Sequence, residues 1–191
     1  GCRMSPTPVN ATVVVVGQGY VGLPLAMAAV SAGHQVVGID TDTSRAKLIE
    51  AGASPVTDVD SAELSAALKS GRYEIKSHYR SLSGFGTAII TVPTPLAEGK
   101  PNLQFIESAA NSLAPYISIG SLIVLESTTY PGTTEELLVP LLESGSNLQA
   151  GQDFHVGYSP ERIDPGNPEW NLLNTPKVTS GISERSSSAV A

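Results

Sequence analysis

The sequence contains little cysteine, few aromatic residues and no long apolar run. One cysteine, Cys2, stands among 191 residues, which excludes an internal disulfide and is usual in the reducing cytosol. No apolar run approaches the roughly 20 residues that a membrane helix requires. The net charge of −7 leaves no basic stripe for neutralising the phosphates of a nucleic acid. We therefore expect a cytoplasmic protein that binds neither a membrane nor nucleic acid.

Small residues dominate what is present. Aromatic residues make up 5% of the chain, against 18 glycines and a hydrophobic fraction of 41%. Small side chains allow close contacts between helices and a sheet, and 191 residues are enough for one domain of ordinary size. The composition therefore favours a single α/β domain.

The strongest pattern lies near the start of the chain. It has the order strand, glycine turn, helix, strand and acid, which is typical of a dinucleotide-binding βαβ unit. The segments are a β-branched run at 12–16, the turn Gly17-x-Gly19-x-x-Gly22, an Ala/Leu-rich helical segment at 25–32, and an apolar run at 36–39 that ends on Asp40.

Each position of the glycine turn has a physical reason. Gly17 allows a tight turn out of the strand, Gly19 lets the backbone approach a pyrophosphate, and Gly22 lets the helix pack closely on the strand. The free N–H groups around Tyr20 and Val21 then face the phosphates at the positive end of the helix dipole. The alternative, a purely structural turn, does not explain the acid that follows the second strand.

Asp40 is predicted to accept hydrogen bonds from both ribose hydroxyls of the adenosine half. Its charge would repel a 2′-phosphate, so NAD is favoured over NADP. Thr41 and Arg45 follow Asp40 closely and are assigned to the adenosine side of the cofactor. A solvated helix charge is the alternative for Arg45.

The rest of the sequence alternates predicted strands and helices. Strands are predicted at 73–76, 87–92, 121–125 and 154–158, and helices at 43–51, 61–70, 103–116 and from Pro131 to about Leu142. Alternation of this kind predicts a Rossmann-type, doubly wound, mostly parallel sheet with helices on both faces. Between them, residues 77–86 are predicted to be irregular and residues 93–102 a flexible loop.

Details of three helices follow from their ends and faces. Asp42 or Thr43 is expected to cap the helix at 43–51, and Ser61 the helix at 61–70. Phe105 is expected on the apolar face of the helix at 103–116, together with four further residues. These are Ile106, Ala109, Ala110 and Leu113.

Ligands of such sheets bind outside the carboxyl ends of the strands. The segments at those ends are therefore expected to line one cleft. They are residues 17–22, Asp40, residues 92–94, residues 126–129 and residues 159–162.

These segments together resemble the UDP-glucose/GDP-mannose dehydrogenase family. The resemblance extends over nearly the whole chain in the order of the family. It rests on GQGYVGLPLA (17–26), GID (38–40), ASP (53–55), TVPTP (91–95), LESTTYPGTTEE (125–136) and YSPERIDPGNP (158–168). SPER followed by DPGNP resembles the branch that acts on UDP-N-acetylglucosamine or UDP-N-acetylmannosamine.

The resemblance implies an NAD-dependent oxidation of a sugar C6 alcohol to a carboxylate, through an aldehyde and an enzyme-bound thioester. Residues 91–94, that is Thr91, Val92, Pro93 and Thr94, would pass beside the adenosine and ribose of NAD. Ser127 and Thr128 would lie near the nicotinamide.

Two residues would act in catalysis if the resemblance holds. Thr128 would help to hold the water used in the reaction, and Glu161 would support acid–base chemistry and thioester hydrolysis. The structural alternatives are a strand-end cap for Thr128 and, for Glu161, a loop carboxylate paired with Arg162.

The family's reaction needs a nucleophilic cysteine with a lysine close by, both from a part of the chain that follows this domain. Cys2 matches nothing in the family, and residues 1–3 are expected to be foreign, with the native start at Met4. We expect a leader at 1–11, an NAD-binding domain at 12–182 and the start of a linker at 183–191. The central helix and the UDP-binding domain would be absent.

On this interpretation the chain alone binds NAD without turnover. The UDP-sugar would be bound only together with the missing C-terminal domain, and the parent enzyme is expected to be a homo-oligomer. The spacing of His34, His78 and His155 offers no metal site.

Two other functions share the glycine fingerprint. One is a dehydrogenase of the β-hydroxyacid or 6-phosphogluconate type, against which TVPTP and SPERIDPG argue. The other is an NAD-sensing module without catalysis.

Overall fold

A computed structural model describes residues 11–126, 134–159 and 180–181, with 134–135 and 180–181 described by their backbone alone. Within these ranges the main sheet has seven strands, in the order β3-β2-β1-β4-β7-β8-β9. Its strands are β1 (Val13–Val16), β2 (Val36–Ile39), β3 (Tyr73–Lys76), β4 (Thr87–Ile90), β7 (Leu122–Glu126), β8 (His155–Ser159) and β9 (Ser180–Gly181). All neighbours pair in parallel except β8 and β9.

Five α-helices cover this sheet. They are α1 (Gly22–Ser31), α2 (Thr43–Glu50), α3 (Ser61–Lys69), α4 (Gln104–Leu113) and α5 (Val139–Ser146), within the described residues. A 3₁₀ turn at Ala114–Tyr116 follows α4, and a π-helical turn at Thr134–Leu138 precedes α5. The doubly wound, mostly parallel fold predicted from the sequence is confirmed.

Strand β1 shows why the apolar run forms a central strand. Val13 and Val15 belong to one core, which includes Leu23 of α1 and Leu64 of α3. Val14 and Val16 belong to the core on the opposite face, which includes residues of α4 and α5. Alternate residues of a strand point to opposite faces, so a strand buried on both faces needs an unbroken apolar run.

The strand order reverses at β1. Strands β2 and β3 lie on one side of β1, and β4, which follows β3 in the chain, lies on the other. The loops that leave β1 and β4 therefore diverge at their carboxyl ends and open a crevice between them. In open α/β sheets this switch point is where ligands bind.

Several predicted boundaries were wrong. Strand β4 ends at Ile90, two residues before the predicted end. Helix α1, by contrast, begins at Gly22, next to the helix start predicted around Tyr20 and Val21. Helix α4 ends at Leu113 because Pro115 has no N–H to continue the hydrogen-bond ladder. Helix α5 continues to Ser146 and ends at Asn147, whose φ of 58° is left-handed. Its predicted start at Pro131 lies outside the described residues.

The predicted flexible loop at 93–102 contains an antiparallel hairpin, β5 (Leu96–Ala97) and β6 (Lys100–Pro101). Glu98 and Gly99, between the two strands, have φ values of 53° and 77°. Two positive values are what a type I′ turn requires, and the first position is usually Asn, Asp or Gly. Because Glu98 occupies that first position, the sequence pattern did not indicate the turn.

Two assignments of side chains in helices were also wrong. Phe105 is 45% exposed, at the edge of a buried stripe formed by Ile106 and the other predicted residues of α4. Asp60, not Ser61, caps α3, since its Oδ1 accepts from Ala62 N at 2.9 Å. The Ser61 hydroxyl instead accepts from Ser54 N at 3.0 Å.

Within the described ranges, no helix combines the length and the hydropathy needed to cross a membrane. The same residues contain no group of three or more His, Cys, Asp and Glu side chains placed to hold a metal ion.

Candidate functional site

The glycine turn leaves β1 at the switch point. Gly17 has a φ of +90° and donates its N–H to Ile39 O at 2.7 Å, so the turn is tied to the neighbouring strand. A Cβ on Gly19 would meet no atom within 4 Å. A Cβ on Gly22 would lie 1.6 Å from Gly17 O, which is impossible without moving the backbone. Gly19 thus faces open space and Gly22 faces the turn itself.

The carbonyl of Gly17 is held from two directions. The Thr91 hydroxyl shares its one proton between Val16 O at 2.8 Å and Gly17 O at 3.1 Å. Gln18 Nε2 donates to Gly17 O at 3.0 Å. These contacts leave the turn little freedom, so its shape is set before a ligand arrives.

The N-terminus of α1 has no side-chain cap. Val21 stands at the cap position without a side-chain hydrogen bond, and the first turn contains no acid. Asp42 and Asp60, by contrast, cap α2 and α3. An uncapped helix start offers backbone N–H groups and a positive dipole end, which suit a phosphate. Leu23 N already donates to Gly19 O at 3.1 Å and Pro24 has no N–H, so a phosphate would depend on the N–H groups of residues 20–22. Tyr20 flanks this start and is 72% exposed.

Asp40 stands at the end of β2 and is 6% exposed. Its Oδ2 accepts from Gln18 N at 2.9 Å, and its Oδ1 from Asp42 N at 3.0 Å. Arg45 Nη1 lies 3.0 Å from Oδ2 in an ion pair. Hydrogen bonds from backbone N–H groups and a cation compensate the buried charge. Arg45 therefore lies beside Asp40, as its assignment to the adenosine side requires.

Asp42 also settles which residue caps α2. Its Oδ1 accepts from Ser44 N at 3.0 Å and from Arg45 N at 3.1 Å, so Asp42 and not Thr43 is the cap. The cap fixes the first turn of α2, and Arg45 on that turn is thereby directed toward Asp40.

The loop after β4 runs beside the glycine turn, because β4 pairs with β1 in register. Val92 and Thr94 in this loop are half-buried, and Pro93 is exposed. Thr41, which follows Asp40, is exposed as well. All four lie at the carboxyl edge of the sheet, as predicted from strand order.

The other predicted site residues are only partly within the described chain. Glu126 ends β7 and Ser159 ends β8, and the two are paired in register. Strands β7 and β8 therefore end at the same edge of the sheet. Ser127, Thr128 and Glu161 lie outside the described residues.

The geometry is that of a dinucleotide site, and comparison with known proteins identifies the family. Residues 11–191 match the UDP-glucose/GDP-mannose dehydrogenase family, NAD binding domain. The chain belongs to this family. The prediction of an NAD cofactor is confirmed by this match, and the β-hydroxyacid alternative is not favoured.

The UDP-N-acetyl-D-glucosamine 6-dehydrogenase of Pseudomonas aeruginosa is 41% identical over 170 residues, covering 88% of this chain and 39% of that protein. The UDP-D-ManNAc dehydrogenase structure from Pyrococcus horikoshii is 36% identical with a TM-score of 0.74, over 81% of this chain and 37% of that one. The NDP-N-acetyl-D-galactosaminuronic acid dehydrogenase structure from Methanosarcina mazei Go1 has a TM-score of 0.77 at 28% identity, over 94% and 40%. The chain thus spans about two fifths of the length of these relatives.

Sequence reasoning placed Thr91 beside the cofactor of this NAD-binding domain, but it missed the support that Thr91, Gln18 and Tyr73 give to the site. Thr91 and Gln18 hold the turn, and Tyr73 Oη donates to Gln18 Oε1 at 2.7 Å. Burial raises the pKa of Tyr73, and the charge of Asp40 acts in the same direction. The pKa of Tyr79 is raised as well, mainly by burial and to a smaller extent by the charge of Asp40. Nothing in the sequence relates Tyr73 or Tyr79 to the glycine motif.

Proposed function

We propose that this chain is the cofactor domain of an enzyme that oxidises the C6 alcohol of a UDP-N-acetylhexosamine to the carboxylate with two NAD. The observation that carries the proposal is the glycine turn joined to the buried Asp40, in a chain whose relatives are named as dehydrogenases of UDP-N-acetylhexosamines. Bound NAD supplies the hydride acceptor. The residues of this chain bind and orient it.

The pyrophosphate is assigned to the glycine turn. Gly19 offers space with no atom within 4 Å of a would-be Cβ, and the uncapped start of α1 lies next to it. Tyr20 and Val21 are 72% and 40% exposed and border the same place. Backbone N–H groups can thus hold the phosphates although the net charge is −7.

The adenosine ribose is assigned to Asp40. A carboxylate offers about four acceptor positions, and Gln18 N, Asp42 N and Arg45 Nη1 engage three of them. Two ribose hydroxyls need two positions, so binding requires Arg45 to release Oδ2. The Arg45 side chain is 40% exposed, and we assign it to turn from Asp40 toward the adenosine. Thr41, Val92, Pro93 and Thr94 would line the remainder of this half.

The nicotinamide half is assigned to the segments that follow β7 and β8. We place Ser127 and Thr128 near the nicotinamide, with Thr128 holding the water of the reaction. Glu161 would act in acid–base chemistry and thioester hydrolysis. A thioester requires a thiolate, and Cys2 is the one cysteine in the 191 residues of this chain. We therefore assign the thiolate to another part of the full-length enzyme.

The cofactor assignment is tested by titrating the chain with NAD and NADP in a calorimeter. NAD should bind more tightly, because Asp40 repels a 2′-phosphate. Asp40→Ala removes charge-assisted hydrogen bonds worth roughly 1.5–3 kcal/mol, so the NAD affinity should fall about ten- to a hundredfold.

Asp58→Ala serves as the control for that variant, since it removes the same charge from an exposed loop position. Its NAD affinity should equal that of the unchanged chain. Equal affinities for NAD and NADP, or an unchanged affinity in Asp40→Ala, would contradict the role given to Asp40.

The substrate assignment is tested on the full-length enzyme with a panel of UDP-sugars. UDP-N-acetylglucosamine or UDP-N-acetylmannosamine should yield two NADH per sugar, and UDP-glucose markedly less. The 191-residue chain alone should yield no NADH with any of them. Turnover by the chain alone would overturn the assignment of the thiolate, and a preference for UDP-glucose would overturn the assignment of the sugar.

A further inference from the structure

A buried chain of hydrogen bonds lies beneath the glycine turn. The side chain of Gln18 is fully buried, although glutamine is mostly an exposed residue. Its Nε2 donates to Val15 O at 2.9 Å and to Gly17 O at 3.0 Å. Its Oε1 accepts from Tyr73 Oη at 2.7 Å. Both N–H donors and the oxygen of the amide therefore have partners.

The partner of Gln18 comes from a distant part of the sheet. Tyr73 is 2% exposed and begins β3, with β2 lying between it and β1. On β2, Gly38 leaves the space through which the two side chains meet. A Cβ there would lie 2.6 Å from Gln18 Oε1 and 2.8 Å from Tyr73 Oη. The turn after β1 and the strands β2 and β3 thus contribute to this arrangement, which we call the Gln18–Tyr73 brace.

The Tyr73 hydroxyl is a dependable donor to Gln18. Burial, reinforced by the negative charge of Asp40, raises its pKa. The phenol therefore stays protonated through the ordinary pH range and keeps its hydrogen bond to Oε1.

The brace is continuous with the site. The backbone N–H of Gln18 donates to Asp40 Oδ2 at 2.9 Å, so one residue is joined both to Tyr73 and to the carboxylate. If Gln18 rotated, the hydrogen bond from its backbone N–H to Asp40 Oδ2 would lengthen, and Gly17 O would shift at the same time. The pyrophosphate and ribose assignments depend on those same atoms.

We propose that Gln18 and Tyr73 are positioning residues for NAD, which hold the glycine turn and the Asp40 carboxylate in the relative geometry that the adenosine half requires. This proposal rests on the role given to Asp40 under the proposed function. The competing explanation is a buried network that stabilises the fold without any particular effect on the cofactor.

The test is a double-mutant cycle for NAD binding in the 191-residue chain. Tyr73→Phe removes one hydroxyl, keeps the ring and leaves Gln18 Oε1 without its donor. The NAD dissociation constant should rise about tenfold, which is the effect of one lost hydrogen bond in a buried site. In an Asp40→Ala background the same change should alter the dissociation constant less than about twofold, because the group being positioned is gone.

Gly38→Ala perturbs the brace by a second route, since its Cβ would separate the two side chains and remove neither of them. The same loss of affinity, and the same disappearance of the effect without Asp40, are expected. Tyr116→Phe is the matched control. It removes a hydroxyl from a half-buried tyrosine that packs against the core on the opposite face of the sheet, and it should leave NAD binding unchanged.

The outcomes separate the explanations. A tenfold effect of Tyr73→Phe that persists in the Asp40→Ala background would overturn the proposal, since the brace would then act independently of the carboxylate. Unchanged NAD affinity in Tyr73→Phe, or unfolding of both brace variants, would overturn it as well. If the chain without any substitution failed to bind NAD, the proposed function itself would be contradicted. That result is distinct from the outcomes above, in which the unsubstituted chain binds NAD.

Discussion

Gly22→Ala is expected to destabilise the chain by about 3 kcal/mol or more, which is the upper range for overpacking. The added Cβ would lie 1.6 Å from Gly17 O and 2.7 Å from Gly17 C, and both atoms belong to the backbone. Gly17 O cannot move freely, because Thr91 Oγ1 and Gln18 Nε2 hold it. Helix α1 would have to leave its place against β1, and NAD binding should be lost with it.

Chemical denaturation, followed by circular dichroism, measures this loss of stability. Gly33→Ala is the control at the other end of α1. Gly33 has a φ of +96°, but a Cβ there would meet no atom within 4 Å. Only backbone strain is introduced, so the cost should be about 1–2 kcal/mol, with NAD affinity retained. Equal destabilisation in the two variants would contradict the collision at Gly22.

Gly19→Ala is expected to weaken NAD binding at least about tenfold, equivalent to roughly 1.4 kcal/mol. Its Cβ would meet no protein atom within 4 Å, and its φ is not left-handed, so the folded chain accommodates alanine. The methyl group would enter the space in which the backbone approaches the pyrophosphate. Stability should stay equal or rise by about 0.4–1 kcal/mol, because alanine restricts the unfolded chain.

Calorimetric titration with NAD, ADP-ribose and AMP checks this result together with a denaturation curve. NAD and ADP-ribose contain the pyrophosphate and should lose more affinity than AMP, which does not. Gly33→Ala again serves as the control and should bind all three ligands as the unchanged chain does. An unchanged NAD affinity in Gly19→Ala would contradict the assignment of the pyrophosphate to this turn.

Much of the fold could be predicted because the responsible forces are local. The valines of β1 are an unbroken β-branched run, and such a run is suited to a strand buried on both faces. The buried face and the capping residue of a helix were less predictable, because contacts with neighbouring parts of the fold decide them. Phe105 differs from the buried residues of α4 only by its place at the edge of a stripe, and Asp60 precedes a serine that is an equally good cap by residue type.

The sequence by itself determined the glycine turn, the acid after β2 and the alternation of strands and helices. Each of these expresses a requirement of the residue itself, such as a positive φ at Gly17 or the absence of a Cβ at Gly22. Only the tertiary structure decided what holds the turn. Tyr73 is 55 positions from Gln18, and Thr91 is 74 positions from Gly17. Hydrogen bonds between residues so far apart depend on which strands become neighbours, and no local pattern records that choice.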